Sequence, residues 1–148
     1  GELSQAYLSI TGSNRRDMSW YDFREEAVDC LILAVDISLT PYANFSVSNT
    51  ALFPNYFKDS SNKCISEYGE LEKKILGTSK HLSDAEQHII SGNYMSFNGA
   101  MSQLVQFTSD IVFHGVDKKS KEEIKEEVSQ LVKTKLAKWE SQRLEKAA

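Results

Sequence analysis

The chain has 148 residues and a mass of 16.7 kDa, a length that accommodates one hydrophobic core and predicts a single domain over 1–148. Apolar residues at 41% exclude a disordered chain, and seven glycines with two prolines exclude a collagen-like or low-complexity one. Seventeen basic against 21 acidic side chains leave a net charge of −4, which argues against nucleic acid or an anionic membrane surface as the partner.

Leu3, Tyr7 and Ile10 share one helical face and Gly12 follows, so a short helix is expected over 2–11, with a loop at Thr11 to Asn14. Ser19 with Asp22 three residues on reads as the N-cap of a second helix. Its inward stripe is Trp20, Phe23, Ala27, Cys30, Leu31, Ala34 and Val35, and Pro41 ends it. Residues 39–60 hold both prolines and five aromatics and read as a long irregular loop. A third helix is expected from Ser60 to Leu76, stopped by Gly77. Ser83 and Glu86 then cap a short helix that ends at Gly92-Asn93. Phe97, Ala100, Met101, Leu104, Phe107 and Ile111 predict another helix over 95–114. A capping box at Ser120 and Glu123 opens the last one, with Ile124, Val128, Leu131, Val132, Leu136 and Trp139 on one stripe. Four long amphipathic segments with mostly short connections predict an all-α fold: an antiparallel helical bundle of four long helices, plus short helices and one long aromatic loop.

Few residues carry chemistry. His81, Asp84 and His88 stand at i, i+3 and i+7, the spacing of ligands on one helical face. Ser83 as an N-cap would put His81 outside that helix, and no cysteine lies near to complete a tetrahedron, so neither metal nor cofactor is expected. His114 closes an apolar helix, where an imidazole suits the negative end of the dipole. Asp22, Asp29 and Asp36 recur every seven residues and read as a water-facing stripe, although Asp36 interrupts Val35 and Ile37 and would need a partner if buried. The sequence contains no nucleophile elbow, no Gly-rich phosphate loop and no His-Glu-x-x-His, so the chain is not expected to be an enzyme.

Cys30 and Cys64 leave two readings open: a disulfide, or two small buried free thiols. A disulfide, together with the sequon Asn44-Phe45-Ser46, points to a secreted or periplasmic protein; free thiols point to the cytoplasm. The segment Cys64-x-x-x-Tyr68 with Leu71, followed by Gly92-Asn93-Tyr94, resembles one half of the plant invertase and pectin-methylesterase inhibitor pattern. That family's other cysteines have no counterparts here, and no residue role is carried over.

Charge segregation is the most informative feature. The stretches 37–57 and 87–109 carry no Asp, Glu, Lys or Arg. Their prolines, Asn and Gln exclude a membrane span. Tyr42, Phe45, Phe53, Tyr56, Phe57, Tyr94 and Phe97 lie in them, and an uncharged aromatic surface is the composition of an interface core. These seven are the expected binding residues of a protein-protein interaction module: an inhibitor, an immunity-type protein or an adaptor. Turned inward, the same residues would line a site for an apolar small molecule or lipid. The last 32 residues carry nine basic and seven acidic side chains, and a seam between two such helices would make a homodimer.

Overall fold

The computed structural model describes residues 2–11, 19–39 and 47–147, with the side chains of the third helix described from Phe53 onward. The fold is an all-α helical bundle. Its elements are α1 (Glu2–Thr11), α2 (Trp20–Ser38), α3 (Val47–Lys63), α4 (Tyr68–Ile90), α5 (Tyr94–Val112) and α6 (Lys121–Ala147). No strand occurs among the described residues.

The starts of three helices follow from side chains that satisfy orphan N–H groups. Ser19 Oγ accepts from the Asp22 N–H while Asp22 accepts from the Ser19 N–H, a full capping box on α2. Ser120 and Glu123 form the same reciprocal pair before α6. Asn93 Oδ1 caps α5 through the Ser96 N–H at 3.2 Å.

Helix α5 is the axis of the bundle. Thr108 to Val112 is a continuously buried run, and α2, α3 and α4 all pack on α5. Helix α4 returns antiparallel to α5 after the turn at Gly92, whose φ of +76° suits a residue without a Cβ. Helix α2 is also antiparallel to α5, with Arg24 beside Val112. Helix α3 runs the same way as α5, tied at Tyr56 to Ser102 and at Ser60 to Asp110. Helix α1 lies across α2 and α4, held by Tyr7 Oη donating to Glu72 Oε1 at 2.7 Å. Its ring meets Trp20 and Phe23 edge-on.

Three expectations need correction. The loop expected over 39–60 is helical from Val47, and Pro54 sits inside α3. Phe53, Tyr56, Phe57 and Ser60 are spaced i, i+3, i+4, i+7 and form its inward stripe, while exposed Pro54 costs one ladder bond. The helix expected to span Ser60 to Leu76 is two helices, broken between Lys63 and Tyr68 where Cys64 adopts φ +46°. Gly77 does not end α4, and Ser83 does not cap a new helix, because α4 runs unbroken to Ile90. Gly77 is there for packing: a Cβ would collide with the Phe107 ring of α5. The Thr78 hydroxyl donates back to the Ile75 carbonyl at 2.6 Å within the continuing helix.

Candidate functional site

Two features of the bundle carry chemistry: a buried polar centre between α2, α5 and α6, and an apolar cleft between α1, α2, α4 and α5. The polar centre is built on Arg24, whose side chain is wholly buried. Nε donates to the Val112 carbonyl at 2.9 Å and Nη2 to the His114 carbonyl. Nη1 reaches Asp117 Oδ2 at 2.8 Å and also Glu127 Oε2. Lys119 Nζ completes the set by pairing with the other Glu127 oxygen at 2.7 Å. The guanidinium thus closes the end of α5, binds the 113–120 connection and anchors α6. A planar fork with several donors suits that task and an ammonium does not.

His114 is fully buried beside Arg24, packed against Trp20 and Phe23 at ring-centroid distances of 5.4 Å. Its Nδ1 accepts from the Val116 N–H at 3.2 Å, so the neutral ring carries its proton on Nε2, which has no partner among the described residues. Burial, and then the charge of Arg24, push the imidazole pKa down to about 3. His114 is therefore a neutral core residue at physiological pH rather than a charged end-cap. Asp117 is pulled both ways: burial raises its carboxyl, and the hydrogen bond and charge of Arg24 outweigh that and hold it below the ordinary carboxylate value. A second buried polar group, Asp110, accepts from Ser60 Oγ at 2.6 Å and pairs with Lys74 at 3.0 Å.

The cleft has a volume of about 250 Å³. Leu3, Ala34 and Leu104 form its floor, and Leu33, Ile37 and Leu82 stand on its rim. Those three are 51%, 40% and 44% exposed, an apolar rim left open to water. Cys30 lines the same cleft. Burial, reinforced by the nearby carboxylates of Glu26 and Asp29, pushes its thiol up to about 11.

Of the residues expected to bind a partner, the five that are described do not form one surface. Phe53 and Phe97 are core residues at 5% and 3% exposure. Tyr56 is half-buried with its hydroxyl 2.7 Å from Ser102 Oγ, and Phe57 is half-buried against Phe53. Tyr94 is exposed on the first turn of α5, beside the freely exposed Met95. Tyr42, Phe45 and the sequon at Asn44 lie outside the described residues. The disulfide is not formed. Both thiols are free, with Cys64 Sγ against Gly115 and Cys30 in the α1–α2–α4 cleft. Spacing in sequence carries no information on whether two Cα atoms come within bridging distance.

The unbroken α4 does put His81, Asp84 and His88 on one helix, yet no metal-binding group of three ligands exists among the described residues. The His81 ring lies edge-on to Phe107 at 4.7 Å. Asp22 is spent on its capping box, Asp29 pairs with Lys135 at 3.3 Å, and Asp36 is exposed. No described helix is long and apolar enough to cross a membrane. Sequence reasoning missed Arg24 and the cleft. Arg24 shares the face of Val28 and Leu31 at i, i+4 and i+7, the one signal that it points inward. No known protein family, curated protein or solved structure matches the chain.

Proposed function

We propose that the domain is a non-catalytic protein-protein interaction module that receives an apolar segment of its partner in the α1–α2–α4–α5 cleft. The observation that supports this reading is the exposed aliphatic rim of Leu33, Ile37 and Leu82 over a buried apolar floor. Exposed aliphatic side chains clustered around a depression mark a contact surface, whereas scattered ones need no explanation. A drug-sized ligand is usually enclosed over most of its surface, and an open depression of about 250 Å³ encloses less. The interface is thus aliphatic and lies on α2 and α4, in place of the uncharged aromatic surface expected from the sequence.

The test is site-directed photo-crosslinking in the source cells. A photoreactive residue at Leu33 or Leu82 should capture one identifiable protein, and the same residue at Lys133 on α6 should not. Binding of that purified protein should weaken about 30-fold or more in the Leu33→Ser/Leu82→Ser variant, the loss expected for an interface hot spot. Equal capture from both faces, or unchanged affinity in a folded variant, refutes the cleft. A small apolar ligand is the second reading, favoured by the depth of the floor at Leu104. Extra mass in a native mass spectrum that disappears on denaturation would select it.

A further inference from the structure

The two walls of the cleft differ in charge. On the α1–α2 side Glu2, Glu26 and Asp29 lie near the lining residue Cys30, answered in part by Lys135, 3.3 Å from Asp29. Glu2 is itself a lining residue. Glu26 is partly buried, and its carboxyl is raised above the ordinary value first by that burial and then by repulsion from Asp29 and Glu2, which Lys135 offsets in part. On the α4 side the lining groups Thr78, Ser79 and Leu82 are uncharged, with Lys80 next to them in the chain. Leu33 and Ile37 are one turn apart and form a ridge along the opening.

We propose that the occupant of the cleft is a basic amphipathic helix of a partner protein, its large aliphatic side chains seated between α2 and α4 and its Lys or Arg residues set against the α1–α2 carboxylates. The proposal rests on the interaction-module reading and adds the partner's chemistry. A helix is the form that matches, because a ridge of residues at i and i+4 packs into a groove between two helices. Its charge follows from the wall: each cation placed there relieves repulsion that the folded chain already carries. The same wall disfavours a fatty acid or phospholipid, whose anionic head would meet Glu2 and Glu26.

The experiment uses the intact chain and fluorescent helical peptides of about 18 residues. One carries leucines at i and i+4 flanked by lysines, one has the lysines replaced by glutamates, and one has the leucines replaced by serines. The lysine–leucine peptide should bind about tenfold or more tighter than the glutamate peptide. Its affinity should fall as salt rises from about 50 to about 300 mM. Glu2→Gln/Glu26→Gln should weaken that peptide several-fold with no loss of folding, and Leu33→Ser/Leu82→Ser should abolish its binding. Equal binding of the lysine and glutamate peptides overturns the charge assignment while leaving the apolar cleft in place. Failure of the leucine peptides to bind at up to about 100 µM overturns the helix proposal, and the crosslinking experiment then decides separately whether the cleft is an interface. A concentration-dependent dimer that Leu33→Ser abolishes and salt does not affect would make the occupant a second copy and overturn it as well.

Discussion

Replacing Arg24 with Met tests the polar centre most directly. The substitution keeps the volume of the side chain and removes four hydrogen-bonding contacts at once: to the Val112 and His114 carbonyls and to the Asp117 and Glu127 carboxylates. The carboxylates are left at 5% and 10% side-chain exposure with Lys119 as the remaining cation. Breaking a buried ion pair from one side costs about 3–5 kcal/mol, because the orphaned charge stays desolvated. That is a large part of the roughly 5–15 kcal/mol that holds a domain together, and it corresponds to a fall in melting temperature of roughly 6–20 °C at this chain length. The pH dependence gives a sharper test. In the native chain Asp117 titrates below its unfolded value, so its contribution to stability is present at neutral pH and is lost as pH falls through that lowered pKa. Without Arg24 the main influences that lower the Asp117 carboxyl are gone, and burial is opposed only by the Lys119 N–H and His114, so the carboxyl rises and the contribution shrinks. Urea denaturation followed by circular dichroism should therefore show a gap between native and Arg24→Met that narrows as pH drops from about 7 to about 4. Adding Asp117→Asn and Glu127→Gln to Arg24→Met should recover part of the loss. A penalty under about 1 kcal/mol, or a gap that widens on acidification, would refute the view that Arg24 compensates buried charge.

Other outcomes follow from single residues. His114 has a folded pKa of about 3, so between the unfolded value near 6.5 and that point the unfolded chain binds a proton that the folded chain refuses. This costs about 2 kcal/mol at about pH 5. His114→Leu should flatten the stability profile over that window, and an unchanged slope by urea titration would exclude His114 as its source. Gly77→Ala should destabilise by about 1–2 kcal/mol, since overpacking against Phe107 outweighs the gain in helix propensity. In a Phe107→Ala background the same change should become stabilising, and a double-mutant cycle with no coupling would show that the ring does not constrain that position. With its thiol near 11, Cys30 should alkylate about a hundredfold more slowly at neutral pH than an unperturbed cysteine, as read by mass-spectrometric timing. Alkylation at the unperturbed rate would mean that the thiol is neither buried nor facing Glu26 and Asp29.

Much of the secondary structure was legible because its causes are local. The capping boxes at Ser19–Asp22 and Ser120–Glu123 are four-residue signals, and both form. The apolar stripes of α1, α2 and α5 follow from a 3.6-residue period that needs no knowledge of neighbours. The all-α class follows from the same period repeated along the chain.

What the sequence left open are features decided by helices that are distant in the chain. Gly77 reads as a stop in isolation and becomes a packing site only because Phe107, thirty residues on, approaches it. Prolines and aromatics made 39–60 read as a loop; burial of Phe53 and Ser60 against α5 goes with a helix from Val47. Aromatics that look like a binding surface when counted along the chain are divided by the bundle into core, flank and surface. The candidate site lies on residues no local motif marks: Arg24 finds its partners 88 to 103 positions away, and the cleft forms where four helices fail to close over Leu104. Local periodicity determines which residues become helical, because backbone hydrogen bonding and one-face burial are short-range. Which polar groups are desolvated together, and which apolar face stays uncovered, is settled only when the helices meet.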